Sequence, residues 1–450
     1  MENKHANYGL GMSVIGAIFF IFGFATTFII TLSAKVKEIF TLSEFEAQLL
    51  TAAFFITYPI LSVPSGLIIR KIGYKTALIL GLVLMGIGSF LFFPAASIPS
   101  FPLFLAATVV LAAGVVLLQV SANPYAAALG PEETASGRLN LTQALNSVAT
   151  MVAPWIISVA IFTGAKEMLT AQESAETVKI PFIIMGVFVL VVALILLAMK
   201  LPEIGGDDDK QEKKSVWKYP HVILGALGIF FYVGAEVGNA GLLVNYLQQL
   251  GIDGMTSEIA SKYAAIYWGG AMIGRFFGSI MLSDVKDKSK KSMYVIGVLV
   301  LAFFSGSFVT EWSWIDGFYF LIIATINYLI MQIGKGSSSR TLAVFAGVAA
   351  LLSIITAVTT GQVALWTIVS IGFFNSVMFP NIFALSVRDL DSGEMAGASG
   401  IINSLIVGGA IVPLIMGSIA DAVGYTWAFF VPAACYLYIF FFAVKGSKLR

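Results

Sequence analysis

The chain has 450 residues, of which 58% are hydrophobic and only 11% charged, with a mean hydropathy of +0.91. A soluble protein of this length needs far more surface charge, so a soluble globular class is excluded. The net charge of +1 gives no bulk attraction to nucleic acid, and the single cysteine, Cys435, leaves no disulfide framework and no thiolate metal site.

The apolar residues come in runs, and about 20 residues are enough to cross a hydrocarbon core about 30 Å thick. Six spans are expected near 9–34, 47–69, 76–96, 101–128, 138–163 and 180–200. The first is too long for a signal-peptide core and is read as a span. The charged stretch EIGGDDDKQEKKSVWK (203–218) follows. Eight more spans are expected near 220–248, 259–282, 293–310, 316–334, 341–358, 363–387, 396–418 and 426–444. The pattern predicts an all-α polytopic membrane protein with about 14 transmembrane helices. It divides into an N-terminal bundle (1–205), a cytoplasmic linker (206–218) and a C-terminal bundle (219–450).

Orientation follows from lysine and arginine, which concentrate in cytoplasmic loops. Arg70, Lys71 and Lys75, the linker lysines, Lys286 to Lys291, Lys335, Arg340 and the terminal Lys445, Lys448 and Arg450 share one side. The other side carries mixed or acidic segments such as VTEWSWIDG (309–317). Both termini are therefore expected in the cytoplasm, and an even number of spans agrees, since it puts them on the same side.

An internal echo links NPYAAALGPEETASGRLNLTQALNS (123–147) with FPNIFALSVRDLDSGEMAGASGIINS (379–404). Pro124 matches Pro380, Ala128-Leu129 matches Ala384-Leu385 and Ser136-Gly137 matches Ser392-Gly393; after a one-residue slip Asn146-Ser147 matches Asn403-Ser404. A duplicated half is a habit of transporter folds. Under a six-plus-six repeat the surplus pair is the hairpin at about 290–336. Its outer turn, EWSWIDGFYF, is rich in interfacial aromatics. It reads as a lipid-facing addition with no part in transport.

Polar side chains at bilayer depth are costly and usually face a cavity or a partner. Glu236 lies near the midplane of its run, and Tyr232, Glu236, Asn239 and Leu243 share one helix face. Asn245 points away from Glu236 and reads as a packing or interface residue. Gln119 and Asn123 stand at i and i+4; Gln143, Asn146, Ser147 and Thr150 form a second polar stripe. Amides both donate and accept, which suits a ligand covered with hydroxyls, though they also join helices to one another. Asn375 precedes Pro380, and Tyr232 and Trp268 could stack on the C–H face of a sugar ring. The candidate ligand residues are thus Gln119, Asn123, Gln143, Asn146, Tyr232, Glu236, Asn239, Trp268 and Asn375, with Glu236 also the candidate for cation coupling. Arg275, near the cytoplasmic end of its span, reads as a gate residue paired with a loop carboxylate such as Asp284. Arg138 with Glu132 and Glu133, and Arg388 with Asp389 and Glu394, read as a gating salt-bridge set in matched loops. No phosphate-binding loop, HExxH or GxSxG motif occurs, so neither ATP drive nor a hydrolase is indicated.

The motifs QVSANPYAAALGPE (119–132), RLNLTQALNS (138–147), YVGAEVGNAGLLVNYL (232–247) and IGRFFGS (273–279), with the segment 40–75, resemble the fucose–galactose–glucose symporters of the major facilitator superfamily. The resemblance covers nearly the whole chain apart from termini, linker and hairpin. It implies the major facilitator fold, two six-helix bundles plus the inserted hairpin, with alternating access to a central hexose site. By position it implies sugar contacts for Gln143 and Asn146. Glu236 fits the glucose/galactose type, where fucose-type members carry glutamine. Fucose-type members also have an Asn-Asp pair where this chain has Ile29-Ile30, and a glutamate where it has Gln119. The acids that handle protons in those members thus have no counterpart here. The expected activity is import of a hexose or N-acetylhexosamine, coupled to a proton or sodium gradient. The expected protein is a monomer in a bacterial inner membrane, with no cofactor, no metal and no nucleic-acid partner. The rival readings are an uncoupled facilitator and, from another class, a non-transporting sugar sensor.

Overall fold

The structure is a computed structural model that describes residues 8–129, 135–162, 171–199, 218–281, 287–335, 337–388, 390, 398 and 401–449. A chain immersed in hydrocarbon must satisfy every backbone amide internally, and the apolar runs do so as helices. The first six are α1 (Tyr8–Phe40), α2 (Glu44–Ile69), α3 (Lys71–Ser97), α4 (Phe101–Ala128), α5 (Ala135–Ile157) and α6 (Ala171–Ala198). After the linker come α7 (Pro220–Gln248), α8 (Ser257–Met281), α9 (Lys288–Val309), α10 (Trp314–Ile333) and α11 (Ser338–Val358). The last three are α12 (Gly361–Ser386), α13 (Ile401–Val423) and α14 (Tyr425–Lys448). Thirteen of these described helices are long and apolar enough to cross a membrane on composition alone. The other is α8, diluted by Lys262 and Arg275 on its sequence SEIASKYAAIYWGGAMIGRFFGSIM.

Short connections are written into the sequence. Ser43 and Glu46 form a reciprocal capping box at the start of α2. Asp287, Ser313 and Ser337 accept hydrogen bonds from the first turns of α9, α10 and α11. Gly424, at φ 91°, turns the chain directly from α13 into α14, a conformation that costs glycine little.

The two halves meet through matched helices: α2 packs on α13, α5 on α8 and α1 on α7. In each half the second helix meets the fifth of the other half, counting α11, α12, α13 and α14 as third to sixth. That numbering leaves α9 and α10 as the surplus pair. Their outer faces are exposed, as at Ile296 and Leu329, but their inner faces are tied to the bundle. Phe320 lies 4.8 Å from Phe373 of α12, Phe277 of α8 lies 5.2 Å from Tyr328, and Trp155 of α5 lies 5.1 Å from Phe308. At the turn, Lys262 bonds both Glu258 and Glu311, and Tyr263 donates to Asp316. The hydrogen bond from Lys262 holds the Glu311 carboxyl below the usual carboxylate range. That anchor is therefore at full strength above an ordinary carboxylate pKa and fades as pH falls through the depressed one.

Helices α8 and α12 approach so closely that only glycine fits between them. A Cβ on Gly372 would sit 1.9 Å from the Tyr267 carbonyl oxygen. The obstacle is backbone and cannot rotate away, so Gly372→Ala must push the helices apart. Overpacking of this kind costs about 1–3 kcal/mol. We expect Gly372→Ala to lower the melting temperature of the detergent-purified protein by several degrees; an unchanged melting curve would show that the pair separates freely.

Candidate functional site

Tyr8 and Leu449, the first and last described residues, lie at one face of the bundle, here the terminal face. The loops 41–43, 249–256 and Gly424 lie at the opposite, loop face. Midway between them the C-terminal half holds a buried polar network. Tyr232 donates to Glu236 Oε1 at 2.7 Å within α7. Tyr267 of α8 donates to the Glu236 carbonyl at 3.0 Å and accepts from Asn375 of α12 at 2.8 Å. Tyr436 of α14 donates to Asn375 Oδ1 at 2.8 Å, and Asn239 reaches the Tyr436 hydroxyl at 3.3 Å. Asn375 is thus the junction, with one half of its amide on α8 and the other on α14.

Of the residues expected on one helix face, Tyr232 and Glu236 touch directly, Asn239 joins the network through Tyr436, and Asn375 joins it through Tyr267 and Tyr436. Tyr267 and Tyr436 escaped sequence reasoning. A tyrosine in an apolar span is ordinarily packing, and only its hydroxyl partner shows otherwise. Glu236 is 8% exposed and Asn375 fully buried. Beside them two groups lack partners: the Trp268 indole N–H and the Asn239 carboxamide oxygen. One is a buried donor and the other a buried acceptor, each costing about 1–3 kcal/mol when left unpaired. A polyhydroxylated ligand offers both complements.

Arg275 joins the two halves. Its guanidinium donates to Ser147 Oγ of α5 and, through Nε, to the Ser376 carbonyl at 3.4 Å. Pro380 has no N–H to offer that carbonyl, which lies four residues earlier. Arg275 supplies the missing donor. Asp284, the expected partner of Arg275, lies outside the described residues, and the partners seen are Ser147 and Ser376.

The N-terminal residues are arranged more loosely. Asn146 donates to the Phe19 carbonyl of α1 at 3.0 Å, a contact made possible by the bare backbone of Gly23. Gln143 and Asn123 are exposed, and Asn123 also donates to the Gln119 carbonyl of its own helix at 3.0 Å. Gln119 is half-buried within hydrogen-bonding reach of the Tyr58 hydroxyl. Arg388 is exposed, and its carbonyl faces His221 Nε2 at 3.1 Å. The Arg138 side chain, Glu132, Glu133, Asp389 and Glu394 lie outside the described residues. Among the described residues no histidine, cysteine and carboxylate group forms a metal site.

A second polar cluster closes the loop face. Glu44, 3% exposed, is bonded by Lys37, by Tyr425 and by Asn245 at 3.1 Å. Asp421 of α13 accepts from the Glu44 and Phe45 amides at 2.7 and 2.8 Å, capping α2 from the other half. Gln48 and Ser33 both donate to the Gly241 carbonyl, at 3.1 and 3.5 Å. Asn245 is thus the interface residue its position suggested. Cross-half bonds among the described residues include those of this cluster and, further along the bundle, Arg275–Ser147.

A profile of the Major Facilitator Superfamily matches residues 14–334. The glucose/galactose transporter of Brucella abortus biovar 1 (strain 9-941) is 39% identical over 450 residues, covering 99% of this chain and 96% of the relative. The L-fucose-proton symporter of Escherichia coli (strain K12) is 28% identical over 465 residues, covering 98% and 94%. Among solved structures, the major facilitator transporter FucP in the outward conformation superposes with a TM-score of 0.66 at 27% identity, covering 98% of this chain and 99% of that one.

Proposed function

The chain belongs to the Major Facilitator Superfamily, in its fucose–galactose–glucose symporter branch, and we propose that it imports a hexose or N-acetylhexosamine by alternating access. The carrying observation is the network around Glu236 and Asn375, with a spare donor on Trp268 and a spare acceptor on Asn239. Sugar hydroxyls would pair with both, and the exposed amides of Gln143 and Asn123 would supply the N-terminal side of the site.

We place the protein in a bacterial inner membrane with both termini in the cytoplasm, as the lysine and arginine bias indicates. The bundles 1–205 and 219–450 then rock about the site, and the bonds of Glu44 and Asp421 that join the halves at the loop face support a state closed on that side and open inward. A proton or sodium ion is the driving ion, and Glu236 is its binding group. A coupling ion must bind one state better than another, and Glu236 is the acid inside the network. Uncoupled facilitation is the second reading, favoured by the buried Ile29 and Ile30, which stand where fucose-type members carry their Asn-Asp pair.

Proteoliposome uptake tests both. Labelled glucose, galactose, mannose and N-acetylglucosamine would be offered with an imposed proton or sodium gradient. We expect saturable accumulation of at least one of them above its outside concentration. Uptake that stops at equality would establish the facilitator; binding without any uptake would make the protein a sensor.

A further inference from the structure

The hairpin α9–α10 carries one amide at depth, Asn327, which is fully buried. A lipid-facing spacer has no use for it, since a buried amide costs free energy unless it is bonded. Its nitrogen donates across the interface to the Phe373 carbonyl of α12 at 3.3 Å. Helix α12 is interrupted just after this point: its first segment ends at Asn375 and the second begins at Met378. An interrupted helix leaves carbonyls to be satisfied from outside. Phe373 receives Asn327 and its neighbour Ser376, while the Ser376 carbonyl receives Arg275. Asn375 lies between these two anchored carbonyls. The Phe373 ring is held by the same hairpin through Phe320.

We propose that Asn327 is a positioning residue for the sugar site: through the Phe373 carbonyl, the extra hairpin fixes the break in α12 that presents Asn375 to Tyr267 and Tyr436. The hairpin is thereby a buttress of the binding site and not a passive addition. This rests on the reading of the network as the sugar site, but the anchoring itself can be tested without sugar.

Hydrogen–deuterium exchange of the full-length protein, without ligand, reads the break directly. Asn327→Leu keeps the volume and removes the bond. Exchange of residues 372–381 is expected to rise about tenfold, the effect of losing one buried hydrogen bond, with the melting temperature nearly unchanged. Asn327→Ala serves as the second variant and should do the same. Thr325→Val is the control: its hydroxyl bonds only to the Leu321 carbonyl of its own helix, and exchange should not move. Sugar affinity of Asn327→Leu should fall by about the same factor. Unchanged exchange at 372–381 in both Asn327 variants overturns the proposal. Faster exchange in a protein that binds no hexose in any form would instead overturn the sugar-site reading and leave the anchor standing.

Discussion

Glu236→Gln is expected to abolish gradient-driven accumulation while leaving sugar exchange across the membrane within a few-fold of normal. The substitution is nearly isosteric and keeps an oxygen for the Tyr232 hydroxyl, which donates to Glu236 Oε1 at 2.7 Å. The Tyr267 bond is to the backbone carbonyl and is untouched. What disappears is the charge and the capacity to bind and release a cation. One positive charge entering with each sugar across 100 mV is worth about 2.3 kcal/mol, an accumulation of about 50-fold. In the variant this ratio should fall to about one. Counterflow of labelled against unlabelled sugar needs only the site and the rocking motion, so it should persist. Retained accumulation would remove Glu236 from the coupling path. Loss of both activities would make it a sugar ligand first.

Glu236 was legible because a carboxylate inside an apolar run must have a reason to be there. The same logic grouped Tyr232 and Asn239 with it and singled out Asn375. Tyr267 and Tyr436 gave no such signal, since tyrosine is at home in a span and only tertiary contact decides what its hydroxyl does. The surplus hairpin was found by counting spans against the internal repeat. Its inward anchoring was not, because Asn327 interrupts its run by a single amide. Glu44 was missed for another reason. The second span was expected from 47, and a carboxylate three residues before it looks solvated. Burial comes from Asn245, Asp421 and Tyr425, which lie roughly 200 to 380 residues further along the chain. No local pattern encodes an interface assembled from opposite halves.

That interface carries the second large expectation: Asp421→Ala should unlock the loop face. Asp421 accepts from two amides at the first turn of α2, where a negative charge also meets the helix dipole. The cap contributes about 1 kcal/mol and the dipole about 0.3–1 kcal/mol. Both stabilise only the state in which α13 touches α2, so their removal should shift the population about tenfold towards opening at this face. Glu44→Gln should act in the same direction, since it weakens the ion pair with Lys37 and the bonds from Tyr425 and Asn245. The lock has to be modest, because every transport cycle must break it. The cluster meets that need: Glu44 is buried but Lys37 is partly exposed and Asp421 exposed, so solvent screening and the desolvation of Glu44 offset much of the attraction. The reporter is Val237→Cys in a Cys435→Ala background. It lies one turn below Gly241 on the same face of α7 and is 2% exposed. Labelling by a membrane-impermeant maleimide applied from the loop face should accelerate about tenfold with Asp421→Ala, by the shift just derived. If the rate stays the same in both lock variants, the loop face is held shut by apolar packing alone and Glu44 and Asp421 are bystanders to the motion.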